Sequence, residues 1–192
     1  MSRNIVLVLC VLALALCTSS AWAVIPTPAA DTLKVDYFAN ANTAGAPDAT
    51  VRLTNPGTAG GNLCAAVFVF DQNQEMSECC SCFVSPDGLR TLSVNTDITG
   101  NPLTGVTLNT GAIKIVSTAT VAGACPLPTR LNPMATVRAW STHIQNANFA
   151  VTETAAQDAT LSATEVGRLQ AECSAINIDG SGKGICSCGT GD

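Results

Sequence analysis

The stretch LCAAVFVFDQNQEMSECCSCFV, residues 63–84, decides the predicted fold because it combines two apolar runs with three closely spaced cysteines. Its first run, residues 63–71, is apolar on both faces of a strand, which is typical of a central strand in a two-layer fold. The polar segment DQNQ separates this run from MSECCSCFV, so the pattern predicts a β-hairpin.

Short strand patterns continue on both sides of this hairpin, separated by glycine, proline and asparagine. In residues 32–39, Leu33, Val35 and Tyr37 share one face of a strand, and SPDG at residues 85–88 fits a type I turn. The other strand patterns are ATVRLTN, LRTLSVN, AIKIVSTATV, MATVRAWSTHIQ and NFAVTET. About eight or nine short strands predict a mainly β protein, an antiparallel β-sandwich of immunoglobulin-like or related Greek-key topology.

The C-terminal residues follow a helical pattern and then a glycine-rich one. LSATEVGRLQAECSAI, residues 161–176, predicts a helix in which Ser162 is the N-cap and Glu165 completes a capping box. One face of this helix carries Val166, Leu169, Cys173 and Ile176. Because a lone helix of this length is marginal in water, we expect it to dock on the sandwich, together with the disulfide-rich tail that follows.

The N-terminal residues predict export. Arg3 precedes the apolar run 5–16, and Ala21-Trp22-Ala23 is an A-x-A cleavage site, which together are typical of a signal peptide. No later segment is long and apolar enough for a membrane helix, so we expect no membrane insertion after cleavage. The predicted location is secreted, meaning extracellular, cell-surface or periplasmic.

Three parts follow from these patterns. They are a signal peptide at residues 1–23, a β-sandwich domain at residues 24–158, and the docked helix with its Cys- and Gly-rich tail at residues 159–192.

The chain is acidic, with a net charge of −5, and contains no basic cluster. Because an acidic surface repels phosphate backbones, nucleic-acid binding is disfavoured.

Eight cysteines remain after cleavage, and an even number in an exported chain predicts disulfides without a free thiol. In a strand, Cys80 and Cys82 share a face, and Cys79 points the other way. The C-S-C unit at residues 186–188 complements the cysteines at residues 79–82, so a strand pair bridged twice is one expected arrangement. The disulfide candidates are Cys64, Cys79, Cys80, Cys82, Cys125, Cys173, Cys186 and Cys188.

Two other uses of the clustered cysteines stay open. Four thiolates could hold zinc or an iron–sulfur cluster, although C-C-x-C and C-x-C are tighter than the usual C-x₂₋₄-C spacing. A C-x-C pair could also form a reactive disulfide, although the usual redox motif, C-x-x-C, is missing from the sequence. Structural disulfides are favoured, and we expect neither a metal site nor a cofactor.

No catalytic pattern is recognised. His143 is the only histidine, and its strand pattern predicts a partly exposed side chain without a catalytic role. Glu75 and Glu78 lie near the hairpin turn and are expected to be solvated. GSGKG at residues 180–184 departs from the phosphate-binding loop, and Cys188 stands where a calcium loop needs glutamate. We therefore predict no catalytic residue.

The segments ECCSC, residues 78–82, and AECSAINIDGSGKGICSCG, residues 171–189, resemble small secreted bacterial proteins with ECCxC and GSGxGICxCG motifs. Together with VRLTNPG and LCAAVFVFD, they extend the resemblance over most of the mature chain. The resemblance implies a bacterial exported protein and implies no activity.

Three functions are compatible with these observations. The favoured one is a non-enzymatic structural or interaction protein of the cell surface, matrix or an extracellular filament, whose partners would be other protein subunits or cell-surface components. The second is a monomeric extracellular ligand-binding module, which would show a concave, ligand-sized pocket. The third is a thiol redox protein or other enzyme, which would show a free or reducible thiol pair.

Overall fold

The computed structural model describes residues 32–191, in which two five-stranded antiparallel sheets pack face to face. The strands are β1 Leu33–Phe38, β2 Thr50–Thr54, β3 Leu63–Asp71, β4 Met76–Val84, β5 Leu89–Ser93, β6 Gly111–Ala119, β7 Arg138–Gln145, β8 Ala150–Ala155, β9 Gln157–Ala159 and β10 Thr190–Gly191. The first sheet has the order β4-β3-β6-β1-β9 and the second has the order β10-β5-β2-β7-β8. The predicted antiparallel β-sandwich is confirmed, whereas the immunoglobulin-like classification stays a prediction. The predicted signal peptide lies outside the described residues.

The main core lies between the two sheets. It forms because alternate residues of each strand point to the same face, so every strand places a row of apolar side chains in the interior. Fully buried members from the first sheet are Val67, Val69, Ile113 and Ile115, and those from the second are Val51, Leu53 and Leu92.

The other face of the first sheet is covered by helix α1, Ala163–Asp179. Phe68 and Phe70 of β3 pack there against Leu169, Cys173 and Ile176 of α1 in a second apolar cluster. The prediction that β3 is a central strand is confirmed, and its second apolar face is covered by the helix, so that the strand lies in the middle of three layers.

Helix α1 begins as predicted and ends later than predicted. Ser162 is the N-cap, and its hydroxyl accepts a hydrogen bond from the Glu165 N–H at 3.1 Å. The Glu165 carboxylate does not reach back to complete the box, because it binds Arg168 and Lys114 instead. The helix continues to Asp179 and stops at Gly180, whose φ of 68° is favourable for glycine.

One local prediction needs correction. The Gly88 N–H donates to the Ser85 carbonyl at 2.9 Å, but Asp87 has a φ of 61°, so the turn is type II. In β1, Leu33 and Val35 face the helix layer, whereas Tyr37 is exposed. The strand meets the central core through Phe38 instead.

Candidate functional site

Four disulfides join the eight cysteines of the described residues. Cys64–Cys125 ties β3 to the loop after β6, and Cys79–Cys173 ties β4 to α1. Cys80–Cys186 and Cys82–Cys188 both tie β4 to the tail, and we call this pair the clasp. The Cys79 side chain points to one face of β4, and the side chains of Cys80 and Cys82 point to the other, because side chains alternate along a strand. Four disulfides fit an extracellular protein.

The tail covers the outer edge of β4 at Cys79. The Cys79 N–H donates to the Gly184 carbonyl at 2.8 Å, and the Cys186 N–H donates to the Cys79 carbonyl at 3.3 Å. The tail then pairs with β5 as strand β10, so Thr190 lies opposite Thr91. One segment thus covers the same side of both sheets, where β4 and β5 would otherwise present unpaired backbone groups.

Two side chains from the segment between β5 and β6 hold the tail in addition to the clasp. The Asn101 amide donates to the carbonyls of Gly182 and Ile185 at 2.8 and 3.1 Å. The Ser187 hydroxyl donates to Asp97 at 2.6 Å, and the Ser187 N–H donates to the Asp97 carbonyl at 2.8 Å. These contacts position the tail backbone independently of its sulfur atoms.

Glu78 is buried beneath this arrangement, so the prediction of a solvated side chain was wrong. Its Oε1 accepts the Asn101 N–H at 3.0 Å, and its Oε2 has no hydrogen-bond partner among the described residues. Burial raises the pKa of Glu78 to about 7, and the Asn101 hydrogen bond opposes this shift. The burial of Glu78 has a long-range cause, because Asn101 and the tail cover this side chain although it lies only three residues from the hairpin turn.

The sulfur atoms of the clasp lie close together. The Sγ atoms of Cys80, Cys82 and Cys188 are all within 4.8 Å of one another, and Cys186 is bonded to Cys80. Cys80, Cys82 and Cys186 are buried, whereas Cys188 is partly exposed. The clasp is therefore a compact group of four sulfur atoms at the margin of the core.

The opposite side of the sandwich ends differently. No described strand pairs with the outer edge of β8, and all six residues of β8 are exposed. Its sequence, AVTETA, contains neither lysine nor proline, two residues that commonly block an edge strand. Among the described residues, the outer edge of β8 therefore carries unpaired backbone donors and acceptors.

The outer face of the second sheet is also uncovered by the described residues. Trp140 and Val151 are 38% and 56% exposed, and Leu89 lies exposed on β5 of the same sheet. Arg52 of β2 forms an ion pair with Glu153 of β8 across this face. The edge and the face therefore carry exposed apolar side chains beside one ion pair.

His143 is buried, which corrects the prediction of a partly exposed side chain. Only 2% of its side chain is exposed, because β1 crosses β7 here and Tyr37 stacks on the imidazole with ring centroids 4.3 Å apart. Its Nε2 lies 2.8 Å from the Thr154 hydroxyl and 3.5 Å from Asp36 Oδ1. Buried between strands, this group joins two elements and does not present an imidazole to solvent.

Sequence reasoning missed the open edge of β8, because its openness depends on strand order. NFAVTET indicates a strand, but only the sheet order shows that nothing described lies beyond it.

The described residues contain no helix that is both long and apolar enough to cross a membrane. No family model matches the chain, and neither the curated proteins nor the solved structures contain a match.

Proposed function

We propose that this is an exported, non-enzymatic interaction protein that self-associates through the edge of β8. The observation that carries the proposal is the open six-residue edge, since the opposite side of the same sandwich is closed by the tail. Unpaired N–H and C=O groups along a strand are a template for pairing with another strand. A structural role at the cell surface, in a matrix or in an extracellular filament is consistent with this edge and with the four disulfides.

A second copy of the chain is the partner that the edge fits best. Two-fold antiparallel pairing sets one residue of β8 opposite its own counterpart. Pairing centred on Thr152 places Glu153 opposite Val151 of the partner subunit, so like charges do not face each other. Glu153 is also neutralised by Arg52 of its own chain. The paired strands would join two five-stranded sheets into one.

The experiment is a measurement of molar mass by light scattering across a range of protein concentrations. Wild type should form a dimer, and Val151→Glu should shift the dimer to monomer, because it places a second carboxylate opposite Glu153 of the partner subunit. Val106→Glu is the matched control, because Val106 is a similarly exposed valine in a loop distant in sequence from β8. A monomeric wild type at every concentration contradicts self-association and favours the monomeric ligand-binding alternative.

A further inference from the structure

We propose that the clasp is a latent metal site, in which Cys80, Cys82, Cys186 and Cys188 bind one soft divalent cation after their two disulfides are reduced. The proposal is independent of self-association, because the clasp and β8 lie on opposite sides of the sandwich.

The sulfur positions are close to those of a tetrahedral site. Zinc–sulfur bonds of about 2.3 Å in a tetrahedron place the sulfur atoms about 3.8 Å apart. Three sulfur atoms of the clasp already lie within 4.8 Å of one another. The Cα atoms of the bridged pairs are 5.1 and 5.3 Å apart, so small side-chain rotations bring all four sulfur atoms around one cation.

The scaffold keeps the four cysteines together when the sulfur–sulfur bonds open. Cys80 and Cys82 lie in a strand that is paired along its length with β3. Asn101 and Asp97 hold the tail on both sides of Cys186 through hydrogen bonds that involve no sulfur. The ligand set is therefore largely preorganised, which lowers the entropic cost of binding a cation.

The clasp differs from the other disulfides in the number of sulfur atoms that it brings together. Cys64–Cys125 and Cys79–Cys173 each bring together only two sulfur atoms. In the part of the chain that the structure describes, no other group of three Cys, His, Asp or Glu ligands comes so close. Thiolate ligands favour Zn²⁺ and Cd²⁺ over Mg²⁺ or Ca²⁺.

The chemistry balances with a dithiol as the reductant. Each of two dithiol molecules gives two electrons and two protons to one disulfide, breaks its S–S bond and becomes a cyclic disulfide. Four protein thiols result. One divalent cation then forms four metal–sulfur bonds and releases four protons, and its oxidation state does not change.

The test uses the purified full chain, reduced with dithiothreitol and freed of it by gel filtration without oxygen. Cd²⁺ is titrated in, and the sulfur-to-cadmium charge-transfer absorbance gives the stoichiometry and affinity. Circular dichroism in the near ultraviolet reports whether the sandwich stays folded. The clasp variant is Cys82→Ser/Cys188→Ser, and the matched control is Cys64→Ser/Cys125→Ser, which also removes one disulfide.

Wild type and the control should each bind one Cd²⁺ per chain and stay folded. The clasp variant should bind more than about 100-fold more weakly, since even loss of a supporting residue near a metal costs about 10–100-fold. Equal affinity in the clasp variant and the control overturns the proposal. Loss of the folded signal on reduction overturns it as well, because the site requires β4 and the tail to stay in place.

Discussion

The edge strands are covered by the tail on one side of the sandwich and exposed on the other. Along β4 and β5, the tail supplies backbone hydrogen bonds and two disulfides, so that side is closed. Along β8, six exposed residues end the second sheet, and no described strand follows. Because exposed edges promote association, this difference favours strand addition along β8 over addition along β4 and β5.

Removing the clasp is expected to have the largest effect. Each clasp disulfide closes a loop of 106 residues, so the variant with Cys80, Cys82, Cys186 and Cys188 all replaced by serine should lose about 4–5 kcal/mol of unfolding free energy. The two loops nearly coincide, so the second disulfide adds less than the first. Urea denaturation measures the loss, and light scattering of the folded variant should show no new association, because the hydrogen bonds of Asn101 and Asp97 still hold the tail over β4.

The control for this variant is Cys64→Ser/Cys125→Ser, which opens a loop of 61 residues. Chain entropy predicts a loss of about 4 kcal/mol, close to that of the clasp variant. The control should not gain new association either, since the clasp and the same hydrogen bonds hold its tail over β4. If the clasp variant associates and the control does not, the hydrogen bonds alone do not hold the tail.

The next largest loss of stability is expected from leucine substitutions on the two outer faces of the sandwich. Leu169 lies fully buried between α1 and the first sheet, whereas Leu89 is 48% exposed on the second sheet. Leu169→Ala should cost about 2–5 kcal/mol, because it removes buried contacts and leaves a cavity. Leu89→Ala should cost less than about 1 kcal/mol. Thermal or urea unfolding measures both, and equal losses would contradict the three-layer packing.

A smaller effect is expected at Glu78, beneath the closed side. Its pKa is raised from 4.5 to about 7 by burial, so the folded state binds the proton more tightly than the unfolded state. This contribution to stability is complete below pH 4.5 and is lost as the pH rises through 7. At pH 8, Glu78→Gln should therefore be more stable than wild type by about 1–3 kcal/mol.

The matched control is Glu75→Gln, at an exposed position in the hairpin turn. Its stability should follow that of wild type from pH 4 to pH 8, within about 0.5 kcal/mol. The measurement is urea unfolding at both pH values. A Glu78→Gln variant whose advantage does not change with pH would show that folding does not raise the pKa of Glu78.

Local patterns in the sequence account for the strands, the helix start and the division of cysteines between the faces of β4. Alternation separates Cys79 from Cys80 and Cys82, and Ser162 marks the N-cap of α1. The burial of Glu78 and His143 is not local. It depends on the loop at Asn101 and on the crossing of β1 over β7, which the order of residues along one strand does not reveal.

The most direct test of the unequal edges is amide hydrogen exchange, measured by mass spectrometry at a low and a high protein concentration. Residues 79–84 should be protected equally at both concentrations, because they pair with β3 and the Cys79 N–H donates to the tail of the same chain. Residues 150–155 should exchange fast at low concentration and become protected at high concentration, where a second copy pairs with β8. Fast exchange in β8 at both concentrations, or concentration-dependent protection in β4, would contradict this account.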